Sequence, residues 1–251
     1  MKIVVYTCIT NDYDSLVDPT YVDQSLTYLA FVSDEKITSS VWQIKKIDID
    51  QELGPVKTAR KIKILAHQYL SEFDCSIWVD GNIDVIGDVK GLIDKLESPL
   101  FVGFKHPFRN CIYSEGKACI KHNKDKKEII IDQLLGYRKE GYPENAGLIE
   151  SNVLIRMHNS SSVIKLMEFW WQEVRDKSRR DQLSFNYSVW KTESIFVKII
   201  NENVRGSSDY FLYRSNGIHR GESLLFRIFS VFMKNKWNDL INFFRNEKSQ
   251  T

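Results

Sequence analysis

The segment Ile77-Trp78-Val79-Asp80-Gly81-Asn82-Ile83-Asp84 sets a carboxylate directly after an apolar run, a glycine beside it and a second oxygen ligand two positions on. A carboxylate at the end of a buried strand is held rigidly at the edge of a sheet, and the glycine lets the backbone turn. Oxygen ligands facing one point suit a hard divalent cation that bridges a diphosphate, with phosphate and water completing its shell. The same residues also read as a plain Asp-Gly turn.

Other constellations carry a similar pair of readings. Gly217-Ile218-His219-Arg220-Gly221-Glu222 places a histidine in a glycine-flanked loop, ordinary as surface but also competent as a ligand. Neutral imidazole binds Mn²⁺ beside carboxylates, and Arg220 next to it can contact a donor phosphate. In Arg179-Arg180-Asp181-Gln182-Leu183-Ser184-Phe185, Asp181 reads either as a helix cap or, with Gln182, as a carboxylate and an amide presented to a sugar. His106-Pro107-Phe108-Arg109 is equally double-edged. Glu150 and Asn152 stand two apart at the mouth of a strand, a spacing that points both to one face. The patterns GxGxxG, the phosphate-binding P-loop, GxSxG and HExxH are absent.

The elements that must position these residues follow from apolar periodicity. Lys2 to Ile9, Tyr28 to Val32, Val41 to Ile47, Cys75 to Val79, Leu100 to Phe104 and Leu148 to Met157 read as strands. Val56 to Leu70, Asp88 to Leu96, Ser161 to Val174 and Arg179 to Lys191 carry helical spacing, and the polar stretch from 110 to 142 reads as helical. Strands alternating with helices predict an α/β sheet covered on both faces. In such sheets ligands bind outside the carboxyl ends of the strands, where Thr7 to Asp14, Ser33-Asp34, Asp80 to Asp84 and Lys105 to Arg109 fall. Chemistry and architecture therefore select the same places.

Composition narrows the class. The 251 residues fit one α/β domain, with 43% hydrophobic and 27% charged residues. A net charge of +2 with no basic block gives no warrant for a nucleic-acid partner. The four cysteines, Cys8, Cys75, Cys111 and Cys119, show neither CxxC spacing nor a paired framework, which fits a reducing, cytoplasmic setting. The start lacks the apolar region and cleavage site of a signal peptide, and no stretch approaches the ~20 apolar residues of a membrane span. From 222 to 251, Phe226, Phe229, Phe232 and Trp237 recur among Arg227, Lys234 and Lys236, as in an amphipathic helix. That segment either packs on its own core or lies at the inner face of a membrane. The expected organisation is a domain over 1–221 followed by a helical segment over 222–251.

Taken together, six ordered segments resemble the glycosyltransferase-like domain shared by plant mucilage- and turgor-related proteins and many bacterial polysaccharide-cluster proteins. They are Tyr6-Thr7 to Tyr13-Asp14, Arg60 to Leu65, Trp78-Val79-Asp80-Gly81, His106 to Glu115, Gly147 to His158-Asn159, and Arg180 to Phe185. The resemblance covers roughly residues 1 to 190. The layout is also distantly similar to glycosyltransferase family 8, with a DxD motif after a strand, an Asp-Gln pair and a late His. Here Asn82 stands where the second acid of DxD would be, and the Lys-Pro-Trp that usually follows the late His is missing.

The resemblance implies a GT-A (Rossmann-like) fold, a mixed central sheet with helices on both faces, and sugar transfer from a nucleotide donor to a glycan or lipid-linked acceptor. It implies Mn²⁺ or Mg²⁺ held by Asp80, Asn82 and His219, and a donor, most simply a UDP-sugar. Thr7, Asn11 and Asp34 would lie near the nucleoside, and Arg60, Lys63 and Arg220 near phosphate or sugar. His106, Arg109, Glu115, Asn152 and Arg180 would line the sugar or acceptor pocket. Asp181, Gln182 and Glu150 are the catalytic candidates, with retention of anomeric configuration suggested by the Asp-Gln pair. The expected setting is bacterial surface polysaccharide synthesis. The alternatives are a non-catalytic carbohydrate-binding protein on the same fold, or a metal-dependent hydrolase of a glycoconjugate or lipid.

Overall fold

The computed structural model describes residues 1–11 and 14–214. The chain divides into two units, Met1–Tyr213 and Arg214–Thr251. Apart from Arg214 the second unit lies outside the described residues, and with it His219, Arg220 and the expected helical segment over 222–251.

A seven-stranded sheet forms the centre of the first unit. Its strands are β1 (Ile3–Ile9), β2 (Thr27–Val32), β3 (Gln43–Lys46), β4 (Cys75–Val79), β6 (Phe101–Lys105), β7 (Ile149–Arg156) and β8 (Lys198–Ile200). The order across the sheet is β3-β2-β1-β4-β7-β6-β8, and every strand is parallel to its fellows except β7. Residues of β1, β4 and β7 are buried on both sides, so these strands read as continuous apolar runs rather than alternating ones. Alternate residues feed two cores. Val5, Ile77, Val102 and Ile155 face one side, with Val89, Leu92 and Ile93 of helix α3 (Val89–Lys95). Val4, Tyr6, Trp78 and Leu154 face the other, where α1 (Gly54–Ile64), α6 (Ser161–Asp176) and α7 (Gln182–Thr192) pack. The expected mixed α/β architecture, with helices on both faces of one sheet, is present.

Three details differ from the sequence reading and bear on the site. The helix expected over Val56 to Leu70 is interrupted at Leu65, which leaves helical geometry (φ −89°, ψ 46°) before the short α2 (Ala66–Tyr69) resumes. A second, two-stranded sheet pairs β5 (Ile83–Val85) with β9 (Phe211–Tyr213), tying the 200s to the loop after Asp80. The pairing of β6 with β7 is irregular. Gly103 faces Leu154 while the next residue, Phe104, faces Glu150. The regular alternation of β7 is therefore interrupted between Glu150 and Leu154.

The polar middle of the chain forms α4 (Ile112–Lys121) and α5 (Lys127–Lys139). They share two small apolar clusters with α7 through Tyr187 and Leu183.

Candidate active site

Asp80 follows the last residue of β4, and its amide donates to the carbonyl of Asn152 (2.9 Å). Its Oδ1 accepts from Trp78 Nε1 (2.7 Å) and Lys63 Nζ (3.2 Å), with Arg60 Nη1 3.8 Å away. Lys63 reaches the other way to Asp181 Oδ2 (2.7 Å), and Arg60 Nε lies 3.7 Å from that oxygen. Arg60 and Lys63 sit three apart on α1 and so face the same way. The end of that helix is itself fixed: Tyr6 Oη and Arg156 Nη2 donate to the carbonyl of Lys63 (2.6 and 2.8 Å), and Arg156 Nη1 donates to that of Ile64 (3.2 Å).

Asp181 is buried and fully engaged. Ser151 Oγ donates to Oδ2 (3.2 Å), and the Gln182 amide donates to Oδ1 (3.0 Å), so the carboxylate also caps α7. Burial alone would raise its proton affinity, but Arg60, Lys63 and Arg180 hold it well below the ordinary carboxylate range. Burial lowers the pKa of Lys63, with Asp181 and Asp80 acting against that shift. Gln182 spends its amide N–H on the Ile149 carbonyl (2.7 Å). Asp181 is thus a permanent anion. An anion held this firmly is a poor proton acceptor.

Glu150 is also buried but differently placed. Its Oε1 pairs with Arg205, and its Oε2 is buried with no hydrogen-bond partner. Burial raises its proton affinity, Asp80 and Glu115 add to this, and Arg205 opposes it. His106 is held neutral, its pKa pushed down to about 4 by burial, with Arg109 and Arg205 assisting and Glu115 opposing. Its Nδ1 accepts from the amides of Phe108 (3.1 Å) and Arg109 (3.0 Å), and its Nε2 lies 3.7 Å from Glu115 Oε2 and 3.3 Å from Arg109 Nη2. Arg109 Nε pairs with the same Glu115 oxygen. Three of the expected pocket residues, His106, Arg109 and Glu115, are therefore one hydrogen-bonded unit. Arg180 places its charge beside Asp181 and Cys119, and the Oδ1 of buried Asn152 has no partner.

The residues expected near the nucleoside lie at strand ends. Thr7 is buried in β1 with its hydroxyl unpartnered. Asn11 adopts a positive φ of 54° while its amide donates to Ser33 Oγ (2.9 Å), and Asp34 Oδ1 accepts from the Lys36 amide (2.9 Å). Two residues were not singled out from the sequence. Asp14 lies against Gly81, where an added Cβ would stand 3.0 Å from Asp14 Cβ and 3.3 Å from Ile9 Cγ1. Burial and the neighbouring Asp80 push its carboxyl up to about 6, against Arg60. The other is Arg205.

A divalent cation is not well served by this donor set. Lys63 and Arg60 already stand beside Asp80, and Asn82 offers only an amide. Asp84, the remaining acid of the segment, is bound by Thr20 through its amide (2.8 Å) and hydroxyl (2.7 Å). Among the described residues, no three His, Cys, Asp or Glu side chains form a metal-binding group. His219 lies outside them. Bringing a further positive charge to Asp80 would oppose two cations.

The model of the TOD1/MUCI70 glycosyltransferase-like domain family matches residues 1–206. The chain belongs to that family. No match is found among curated proteins. Among solved structures, the TOD1/MUCI70-type domain is similar to the apo structure of the bifunctional glycosyltransferase WbbM, with a TM-score of 0.50 and 12% identity over 79% of this chain and 38% of that one. The chain spans little more than a third of that protein, and at such identity the likeness is one of fold. Within the TOD1/MUCI70 family resemblance, the segments around Asp80, His106, Glu150 and Asp181 fall at the same end of the sheet.

Proposed function

We propose that the chain is a glycosyltransferase that moves a sugar from a nucleotide donor to a hydroxyl of a glycan or lipid-linked acceptor. The observation that carries this reading is the convergence of Arg60, Lys63, Asp80 and Asp181 beyond the carboxyl ends of β1 and β4, with Glu150 entering from the start of β7. Arg60 faces developing charge on the departing diphosphate, and the Lys63–Asp181 pair holds Asp80 and Arg60 in place before the donor arrives. Glu150, with a raised proton affinity and one uncommitted oxygen, accepts the proton of the acceptor hydroxyl. His106, Arg109 and Glu115 form the wall against which the acceptor is oriented.

A UDP-sugar remains the first donor to try, and a bacterial surface polysaccharide the first acceptor class. Among the described residues no helix is long and apolar enough to cross a membrane. The test is a panel of nucleotide sugars with Mn²⁺, with Mg²⁺ and with chelator, read as donor turnover. Glu150→Gln is expected to cut turnover by about 10²-fold or more while the melting curve is kept. Sugar binding without turnover across the panel would instead support a carbohydrate-binding protein. Loss of turnover on chelation would restore the metal at Asp80. The product anomer, read by NMR, separates the catalytic candidates. Inversion fits proton transfer to Glu150, and retention returns the chemistry to Asp181 and Gln182.

A further inference from the structure

Arg205 lies in the connection between β8 and β9, far in sequence from Glu150. Its backbone is held in a tight turn. The Asn203 carbonyl accepts from the amides of Gly206 (3.0 Å) and Ser207 (2.9 Å), and Asn203 Oδ1 accepts from the Arg205 amide (3.0 Å). Val204 beside it is fully buried in the core. From this anchored turn the guanidinium extends over the ring of Tyr213, 5.5 Å from its centroid, and pairs with Oε1 of Glu150. The arginine side chain is 43% exposed and the glutamate side chain 2%, so the cation covers the carboxylate on its solvent side. The second oxygen, Oε2, is buried and unpaired. A buried carboxylate with one idle oxygen is costly unless something uses it.

We propose that Arg205 is the positioning residue of Glu150: it grips one oxygen of the carboxylate and leaves the other free for the proton of an acceptor hydroxyl. In the transfer step the acceptor O–H bond breaks as its oxygen bonds to the anomeric carbon. The proton goes to Oε2. The bond from the anomeric carbon to phosphate oxygen breaks, its electron pair leaving on the nucleoside diphosphate, and Glu150 afterwards gives the proton to water. The catalytic half of this assignment rests on the transferase reading, and the electrostatic half does not. Among the described residues, the charged groups that chiefly set the proton affinity of Glu150 are Arg205 from the β8–β9 connection, Asp80 from the end of β4 and Glu115 from α4. Two of these three are anions, and Arg205 is the one that favours the ionised carboxylate.

The experiment uses the full chain with ¹³Cδ-labelled glutamate, the Glu150 signal being assigned by its loss in Glu150→Gln. Its titration midpoint is compared in the parent, Arg205→Ala and Arg205→Lys, with melting curves confirming that each variant folds. The midpoint is expected to rise by at least about one pH unit in Arg205→Ala, and more than half of that rise is expected to be recovered in Arg205→Lys. An unmoved midpoint, or equal movement in both variants, overturns the assignment, because loss of packing alone would not discriminate them. With any nucleotide sugar that the parent turns over, the acidic limb of kcat/KM should follow the midpoint, lowering the rate about tenfold on that limb in Arg205→Ala. A limb that stays put overturns Glu150 as the proton acceptor. If no nucleotide sugar is turned over, the transferase reading fails, and the NMR comparison still decides the pairing.

Discussion

Lys63 has no contact with solvent, yet carries its ammonium between Asp80 and Asp181. A buried charge that loses its partner is far more damaging than a pair removed together. Asp181→Ala is therefore expected to cost about 3–5 kcal/mol, and Lys63→Met combined with Asp181→Leu clearly less than the sum of the single changes. Urea unfolding of the parent, Asp181→Ala, the singles Lys63→Met and Asp181→Leu, and their double checks this. Strict additivity would show that the two side chains do not act as a unit. The same reasoning separates Asp181 from Glu150, two buried carboxylates with opposite tasks. Three cations surround Asp181, and one half-exposed cation faces Glu150. Identity of residue type says nothing of this difference, which lies in the neighbours.

At the scale of elements, the β5–β9 ladder connects the loop after Asp80 to the segment that carries Arg205. Gly87, just beyond β5, has no room for a side chain: an added Cβ would lie 2.3 Å from the Asp209 carbonyl oxygen. Gly87→Ala is expected to cost about 1–3 kcal/mol and to speed hydrogen exchange at Phe211 to Tyr213 more than in β1. Equal acceleration in both strands would mean that the ladder does not open separately. The long strands were legible in the sequence because burial on both faces leaves unbroken apolar runs, as in Ile3–Ile9 and Ile149–Arg156. β5 and β9 were not, since three residues carry no periodicity, and β8 is mostly exposed. The break at Leu65 escaped notice because neither Gly nor Pro marks it and the apolar spacing runs straight through. Asp80, His106, Glu150 and Asp181 were found by strand-end placement and resemblance. Arg205 was missed because a lone arginine in a polar stretch signals nothing until the fold brings it to Glu150.

For the whole molecule, two groups with large and opposite shifts compete as the pH falls. His106 has its pKa lowered from 6.5 to about 4, so the stability it contributes is present above 6.5 and lost as pH falls toward 4. Asp14 is raised from 3.8 to about 6, so its contribution is present below 3.8 and lost as pH rises through 6. Each amounts to no more than about 2 kcal/mol once solvent screening is allowed for, and between pH 4 and 6 they oppose one another. Urea unfolding across that range is expected to show a shallow dependence in the parent, a stability that falls with acid in Asp14→Asn, and one that rises with acid in His106→Asn. Parallel curves for all three would refute the opposition. Below about 3.8 the unfolded chain takes up a proton that Asp181 in the fold does not, which adds a further decline. The path of the chain between β6 and β7 has a different kind of consequence. Lys105 and Ile149 are paired neighbours, and the His106 amide bonds the Leu148 carbonyl (2.9 Å), so the chain leaves the sheet and returns to the same spot after building α4 and α5. That excursion enters and leaves the sheet at one point and otherwise rests on α6, α7 and the connection between them. An excursion of different length in its place would reroute no strand, and the acceptor preference proposed for His106, Arg109 and Glu115 would travel with it.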